Sequence, residues 1–261
     1  MEHEAPPHLD DDNPWPGLDA YEEASKDFFH GRDASSAELL RLIRQSVYIT
    51  LYGKSGLGKS SMLKAGVFPP LRTAHYLPVH LRLDYSEAAD RSPLEQAMQR
   101  LLQEIKSADA DASAPLEGEG LWAYLQRRER PIWTADNFPV TPVLVFDQFE
   151  EVFSRGGSSA HQEQMLNSIA DLVGFRLSTP LAKDRDTNRR LNTDSPQYRT
   201  VLSFRSDFLA EVVGWERRVG LPQHESLELK AMTREQAVQA VERAGSAVLA
   251  PGVAEIGRAH V

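Results

Sequence analysis

At 261 residues, 41% of them apolar and 26% charged, the chain is long enough for one sizeable core with an appendage, and 16 Gly with 16 Pro exclude a collagenous or low-complexity polymer. No cysteine occurs, so disulfide frameworks, thiolate zinc sites and thiol nucleophiles are excluded, and a reducing, cytoplasmic compartment is the expectation. Twenty-nine Lys plus Arg against 38 Asp plus Glu leave a net charge of −9, which opposes phosphate backbones, and neither a signal-peptide pattern nor a run of 18 apolar residues occurs; nucleic acid and membrane are not expected as partners.

In chain order, residues 1–14 carry Asp10 to Asp12 with Pro6, Pro7 and Pro14 and too little apolar surface to order a backbone, which predicts a disordered tail. From Ser35, the positions Leu39, Leu40 and Ile43 recur at helical spacing, and Val47 to Tyr52 follows as a β-branched and aromatic strand. Leu77 to Leu83 predicts a second strand. Ser92-Pro93-Leu94-Glu95 then supplies a capping Ser, a first-turn Pro and a Glu three residues after the cap, ahead of Leu94, Met98, Leu101, Leu102 and Ile105 on one helical face. Ser107 to Gly120 and Ala182 to Pro196 read as surface loops. Val143 to Phe146 and Val201 to Phe204 predict strands, Ser226 to Leu229 a weaker one, and Thr233 with Gln236 caps a last helix through Ala244. Strands alternating with helices predict an α/β fold with a parallel sheet covered on both faces.

The strongest chemical signal is Gly53-Lys54-Ser55-Gly56-Leu57-Gly58-Lys59-Ser60, followed by Ser61. It sits directly after a strand and opens a helix, where glycines at positive φ let backbone N–H groups close around phosphate oxygens and the helix N-terminus adds favourable potential. Lys59 is expected to reach the β and γ phosphates of a nucleotide, and Ser60 to ligate Mg2+. The alternative is a chance Gly-rich turn.

Pro142 to Asp147 is an apolar strand ending in an acid, followed by Gln148-Phe149-Glu150-Glu151. Beside a phosphate loop, Asp147 is expected to hold Mg2+; taken alone, such an acid is most often a helix cap or turn residue. Glu150 and Glu151 are candidates to orient or deprotonate a water aimed at the γ phosphate. Arg205 ends the fourth strand at the carboxyl edge of the sheet, where its paired donors match phosphate oxygens, or where it simply pairs with Asp207 or Glu211. The eight histidines show no metal-ligand spacing. Arg127, Arg128 and Arg130 read as a solvated helix end, and Arg185, Arg189 and Arg190 as part of a mixed-charge loop.

Two further segments, Pro14-Trp15-Pro16-Gly17-Leu18 and Phe28-Phe29-His30-Gly31-Arg32, together with Asp147 to Glu151 and Arg205 to Phe208, resemble the conflict-system branch of the bacterial STAND class of signal-transduction ATPases. The resemblance covers about residues 14–245. It implies a P-loop NTPase, a three-layer αβα sandwich of strand order 5-1-4-3-2, binding ATP and Mg2+. It also implies a nucleotide role for Gly31 and Arg32, Glu150 as the better catalytic carboxylate and Arg205 as a γ-phosphate sensor. For Gly31 and Arg32 the alternative is a turn that caps the Ser35 helix. Proteins of this kind continue into helical modules and a repeat or effector region, and they form homo-oligomers when activated. The domain expectation is therefore a tail over 1–14, a P-loop domain over 15–230, the start of a truncated helical module over 231–254, and a sequencing-adapter artefact over 255–261. The function expected is a slowly hydrolysing ATP switch in signalling or defence; the alternatives are a small-molecule or nucleotide kinase and a nonhydrolysing nucleotide-binding scaffold.

Overall fold

The computed structural model describes residues 9–86, 88–129, 132–155, 159–176 and 189–249. Its strands are β1 (Tyr48–Gly53), β2 (Tyr76–Leu81), β3 (Asp111–Ala112), β4 (Ile132–Trp133), β5 (Thr141–Phe146), β6 (Arg199–Arg205) and β7 (Glu225–Glu228). Five of them form one sheet in the order β2-β5-β6-β1-β7, with every pairing parallel. Counted within that sheet alone, the order reads 5-1-4-3-2. The whole-chain numbers differ because β3, inside the stretch Ser107 to Gly120 that had read as a surface loop, pairs antiparallel with β4 as a separate ribbon.

The helices are α1 (Asp33–Gln45), α2 (Lys59–Ser61), which runs through a π-helical stretch Met62–Val67 into α3 (Phe68–Thr73), then α4 (Pro93–Ser107), α5 (Leu121–Leu125), α6 (Glu151–Arg155), α7 (Ser159–Val173), α8 (Leu209–Val219) and α9 (Arg234–Ala244). Among the described residues, no helix is long and apolar enough to cross a membrane. Strand alternation sorts the apolar side chains onto two faces. Ile49, Leu51, Val143, Val145 and Val201 pack with Leu39, Leu42 and Ile43 of α1 and with Met62, Leu63 and Phe68. On the other face Leu77, Val79, Leu81, Leu144, Phe146, Leu202 and Phe204 pack with α4, α5, α7 and α8 through Leu101, Tyr124, Ile169 and Trp215. Each such side chain contributes about 1.5–3 kcal/mol on leaving water, so both faces hold the sheet that carries the site. The result is the three-layer αβα sandwich.

Both predicted capping boxes form. Ser92 Oγ accepts from Glu95 N at 3.4 Å while Ser92 N donates to the Glu95 side chain at 2.8 Å, and Gln236 N donates to Thr233 Oγ1 at 3.3 Å at the start of α9. One basic cluster differs from its reading. Arg127 lies past the end of α5, ion-paired to Glu119 and stacked over the Tyr124 ring at 4.9 Å, because α5 stops at Leu125 and turns the arginine back onto its own N-terminal side. Arg130 and Arg185, residues 1–8 of the predicted tail, residues 182–188 of the predicted loop and residues 255–261 lie outside the described residues.

Candidate nucleotide site

The site is assembled at the carboxyl edge of the sheet from β1, β2, β5 and β6. After β1, Gly56 and Gly58 adopt φ +77° and +83°, a left-handed conformation costly for any residue with a Cβ, and Gly58 leads directly into α2. Lys59 folds its ammonium across the loop, with Nζ donating to Gly53 O at 2.9 Å and Lys54 O at 3.2 Å. Burial pushes the pKa of Lys59 below the usual lysine value, against the pull of Glu150 and Asp147, which favour its charged form. Ser61, also expected at the nucleotide, accepts the Tyr21 N–H on its Oγ at 3.2 Å.

That contact belongs to an N-terminal strap. Glu22 pairs with Lys64 at 2.6 Å, Glu23 with Arg72 at 2.8 Å, and Tyr21 packs its ring 5.5 Å from Phe29, so the segment before α1 lies on the helix that follows the phosphate loop.

The β5–β6 pairing brings Asp147 under the loop. Its carboxylate is almost fully buried and accepts four hydrogen bonds: Ser60 Oγ at 2.6 Å and His80 Nε2 at 3.1 Å on Oδ2, Ser203 Oγ at 2.8 Å and Gln148 N at 3.1 Å on Oδ1. Burial alone would raise the Asp147 pKa; the hydrogen bond and charge of His80, with the Ser60 and Ser203 hydroxyls, outweigh it and bring the pKa down to about 2. An ionised, buried carboxylate that already accepts four hydrogen bonds supplies the charge, and the Ser60 oxygen the ligand, for a hard cation that takes its other ligands from phosphates and water. Among the described residues no group of three His, Asp or Glu forms a metal cage of its own.

Beyond Asp147 the chain turns sharply through Gln148 at φ +56°, and Phe149 N donates to Ser203 O at 2.9 Å. This turn separates the two glutamates that the sequence left open. Glu150 points inward, buried, with Oε2 accepting Arg205 N at 3.3 Å, and burial pushes its pKa up despite that bond and the nearby Lys59 charge. Glu151 begins α6 and stands 3.9 Å from Arg82 at the rim. Arg205 lies level with Gly53 across the sheet, its half-exposed guanidinium paired with Asp207.

Gly31 and Arg32 take a different position from the loop residues. Arg32, at the N-cap of α1, is buried and donates to Leu57 O in the phosphate loop and to Lys230 O before α9, both at 2.7 Å. Gly31 at φ +82° abuts α9, where an added Cβ would lie 2.7 Å from Gln236 O. The structure therefore gathers Lys59, Ser60, Asp147, Glu150 and Arg205 at one edge and uses Arg32 to bind two backbones together. His80 is the site residue that the sequence reading missed; a lone histidine in an apolar strand has no spacing to mark it.

A family model described as novel STAND NTPase 1 matches residues 14–250. No curated protein matches. Among solved structures, the Walker-type ATPase PABY2304 of Pyrococcus abyssi superposes with a TM-score of 0.52 at 15% identity, over 87% of this chain and 60% of that one. The ORC2 protein of Aeropyrum pernix, solved as ADPNP–ADP complexes, gives 0.51 at 12% identity, over 83% of this chain and 52% of that one. The likeness to both is one of fold, and this chain spans only about half to three-fifths of their length.

Proposed function

The chain belongs to the novel STAND NTPase 1 family, a family of P-loop nucleotide-binding proteins, and from that premise we propose that it is an ATP-binding, slowly hydrolysing, Mg2+-dependent switch in bacterial signalling or defence. The observation that carries the reading is the 2.6 Å bond from Ser60 to a buried, ionised Asp147 directly beneath the phosphate loop, with the inward-facing Glu150 three residues on.

The roles follow from the donors and acceptors present. Lys59 exchanges its two backbone carbonyl partners for the more negative β and γ phosphate oxygens. Ser60 gives its proton to Asp147 in a hydrogen bond, which leaves its oxygen lone pairs for Mg2+, while Asp147 supplies the compensating charge. Held by Ser60 and the charge of Asp147, Mg2+ would supply charge neutralisation on the phosphates. Glu150, with a pKa raised toward the working pH, accepts the proton of the attacking water. Arg205 leaves Asp207 for the γ phosphate when nucleotide is bound. Burial of Arg32 between the loop and the segment before α9 supports transmission of the nucleotide state to whatever α9 leads into; the resemblance to the conflict-system branch supports helical and effector modules there and assembly of copies on activation.

A second reading, phosphoryl transfer to an acceptor, is favoured by one feature. A cavity of about 520 Å³ opens at the end of β2, lined by His80, Arg82, Arg91 and Arg100, and His80 in turn reaches Asp147 at 3.1 Å. Measuring ATP consumption with and without phosphorylatable acceptors separates the two readings: turnover independent of acceptor supports the switch, turnover that requires one supports the kinase. For either, Mg-ATP at a hundredfold excess over Kd stabilises the protein by about 2.7 kcal/mol, and Lys59→Ala loses most of that gain. A folded Lys59→Ala with an unchanged thermal shift overturns both.

A further inference from the structure

We propose that His80 is a positioning residue for the metal-binding corner, fixing the Asp147 carboxylate from the sheet so that Ser60 keeps its oxygen turned toward Mg2+. The inference rests on the nucleotide reading above and adds a residue that neither the motifs nor the family resemblance assigns.

His80 lies on β2, opposite Val145 of β5. Its strand neighbours Val79 and Leu81 turn to the face covered by α4, α5 and α7, so His80 turns to the face covered by α3, where it meets the Phe68 ring edge-on at 6.2 Å. Asp147 is two residues beyond Val145, the diagonal distance that an imidazole spans across paired strands. With its proton on Nε2, the ring donates to Oδ2 at 3.1 Å.

A carboxylate offers about four acceptor positions, and Asp147 fills them with Ser60, His80, Ser203 and the Gln148 N–H. These donors are not equivalent. Ser60 belongs to the phosphate loop, the segment that closes on a nucleotide. Gln148 belongs to the turn that follows β5. Ser203 and His80 are mounted on strands, one for each oxygen, and strands hold side chains more rigidly than loops do. His80 is therefore the fixed partner of the oxygen that Ser60 shares. Without it, Oδ2 is held by the loop hydroxyl alone, and the carboxylate that aligns Ser60 is no longer aligned itself. Outer partners of metal sites act in this way, and their loss costs about 10–100-fold in metal affinity.

The test reads metal dependence rather than turnover. Thermal unfolding of the full chain with saturating ATP is followed as MgCl2 is titrated, for wild type, His80→Gln, His80→Asn and His80→Leu. Glutamine places its amide nitrogen where Nε2 stands; asparagine falls short of Oδ2; leucine keeps the apolar packing against Phe68 and removes the donor. The expected result is a half-maximal Mg2+ concentration within about twofold of wild type for glutamine and raised about tenfold or more for asparagine and leucine. The shift given by ATP in excess EDTA stays the same in all four. A histidine kept only for packing predicts the reverse, leucine tolerated and the midpoint unmoved, and that outcome overturns the proposal. If the leucine variant does not fold, the Gln and Asn pair decides, and equal midpoints overturn it. A wild-type protein with no Mg2+-dependent shift at all brings down the nucleotide reading and this inference together. A normal wild-type shift that Lys59→Ala abolishes upholds the nucleotide reading, so that unmoved His80 midpoints then overturn this inference alone.

Discussion

Three residues apart, Asp147 and Glu150 are both pushed up by burial, and their partners decide which way each finally shifts. Asp147 is surrounded by side-chain donors, and its pKa falls to about 2; Glu150 has only backbone donors to its carboxyl, which do not offset burial, and its pKa rises. The consequences for stability have opposite signs. A carboxylate whose folded pKa lies below its unfolded value of 3.8 stabilises the fold at every pH above about 4 and loses that contribution as pH falls toward 2. For Asp147 the contribution is on the order of 2 kcal/mol, so Asp147→Asn should flatten the acid limb of a stability curve between pH 4 and 2, measured by urea unfolding. Glu150 has a folded pKa above its unfolded one, so the fold gains from it only when it is protonated and loses as pH rises through the carboxylate range. Glu150→Gln should therefore raise Tm at pH 7 while lowering ATP turnover by about 100-fold or more. Glu151→Gln, at the rim with Arg82, should leave both within a few-fold of wild type; loss of turnover in Glu151→Gln alone would reverse the assignment.

At the scale of elements, α9 is held to the phosphate loop by contacts with no side-chain signature. Arg32 spends its charge on two carbonyls, Leu57 O and Lys230 O, and Gly31 lets α9 come close enough for Gln236 O to touch the position of a missing Cβ. Gly31→Ala adds a clash at 2.7 Å to a left-handed backbone, a cost of about 1–2 kcal/mol for the backbone alone, and amide exchange across Arg234–Ala244 should accelerate while the sheet stays protected. Unchanged exchange there would show that α9 is anchored elsewhere. What could be read beforehand follows the same division. Strands buried on both faces, such as Val143 to Phe146, and helices with capping boxes, such as those after Ser92 and Thr233, write their physics into residue type and spacing. The Gly53–Ser60 loop does so most plainly. A two-residue strand such as Asp111–Ala112 has no period to detect. The choice between Glu150 and Glu151 depended on the Gln148 turn, and the His80 contact on strand register, both set by the assembled sheet rather than by neighbours in sequence.

For the molecule as a whole, the five parallel strands place the strand that leads into the phosphate loop inside the sheet. β1 lies between β6 and β7, with Leu51 level with both Ser203 and Leu227. Parallel neighbours distant in sequence make such a sheet slow to complete. The Arg32–Lys230 bond joins residues 198 apart, a length that a ribosome takes roughly 10–40 s to make at about 5–20 residues per second. During that interval the phosphate loop has left the ribosome without the strands that flank it or the carbonyl that anchors its arginine. Nascent chains arrested before Glu225 should therefore fail to be retained on immobilised ATP, and chains arrested far enough past Lys230 for that residue to clear the exit tunnel should be retained. The order in which the ribosome delivers the strands thus acts as a timer, keeping the newborn protein blind to nucleotide until β7 has arrived.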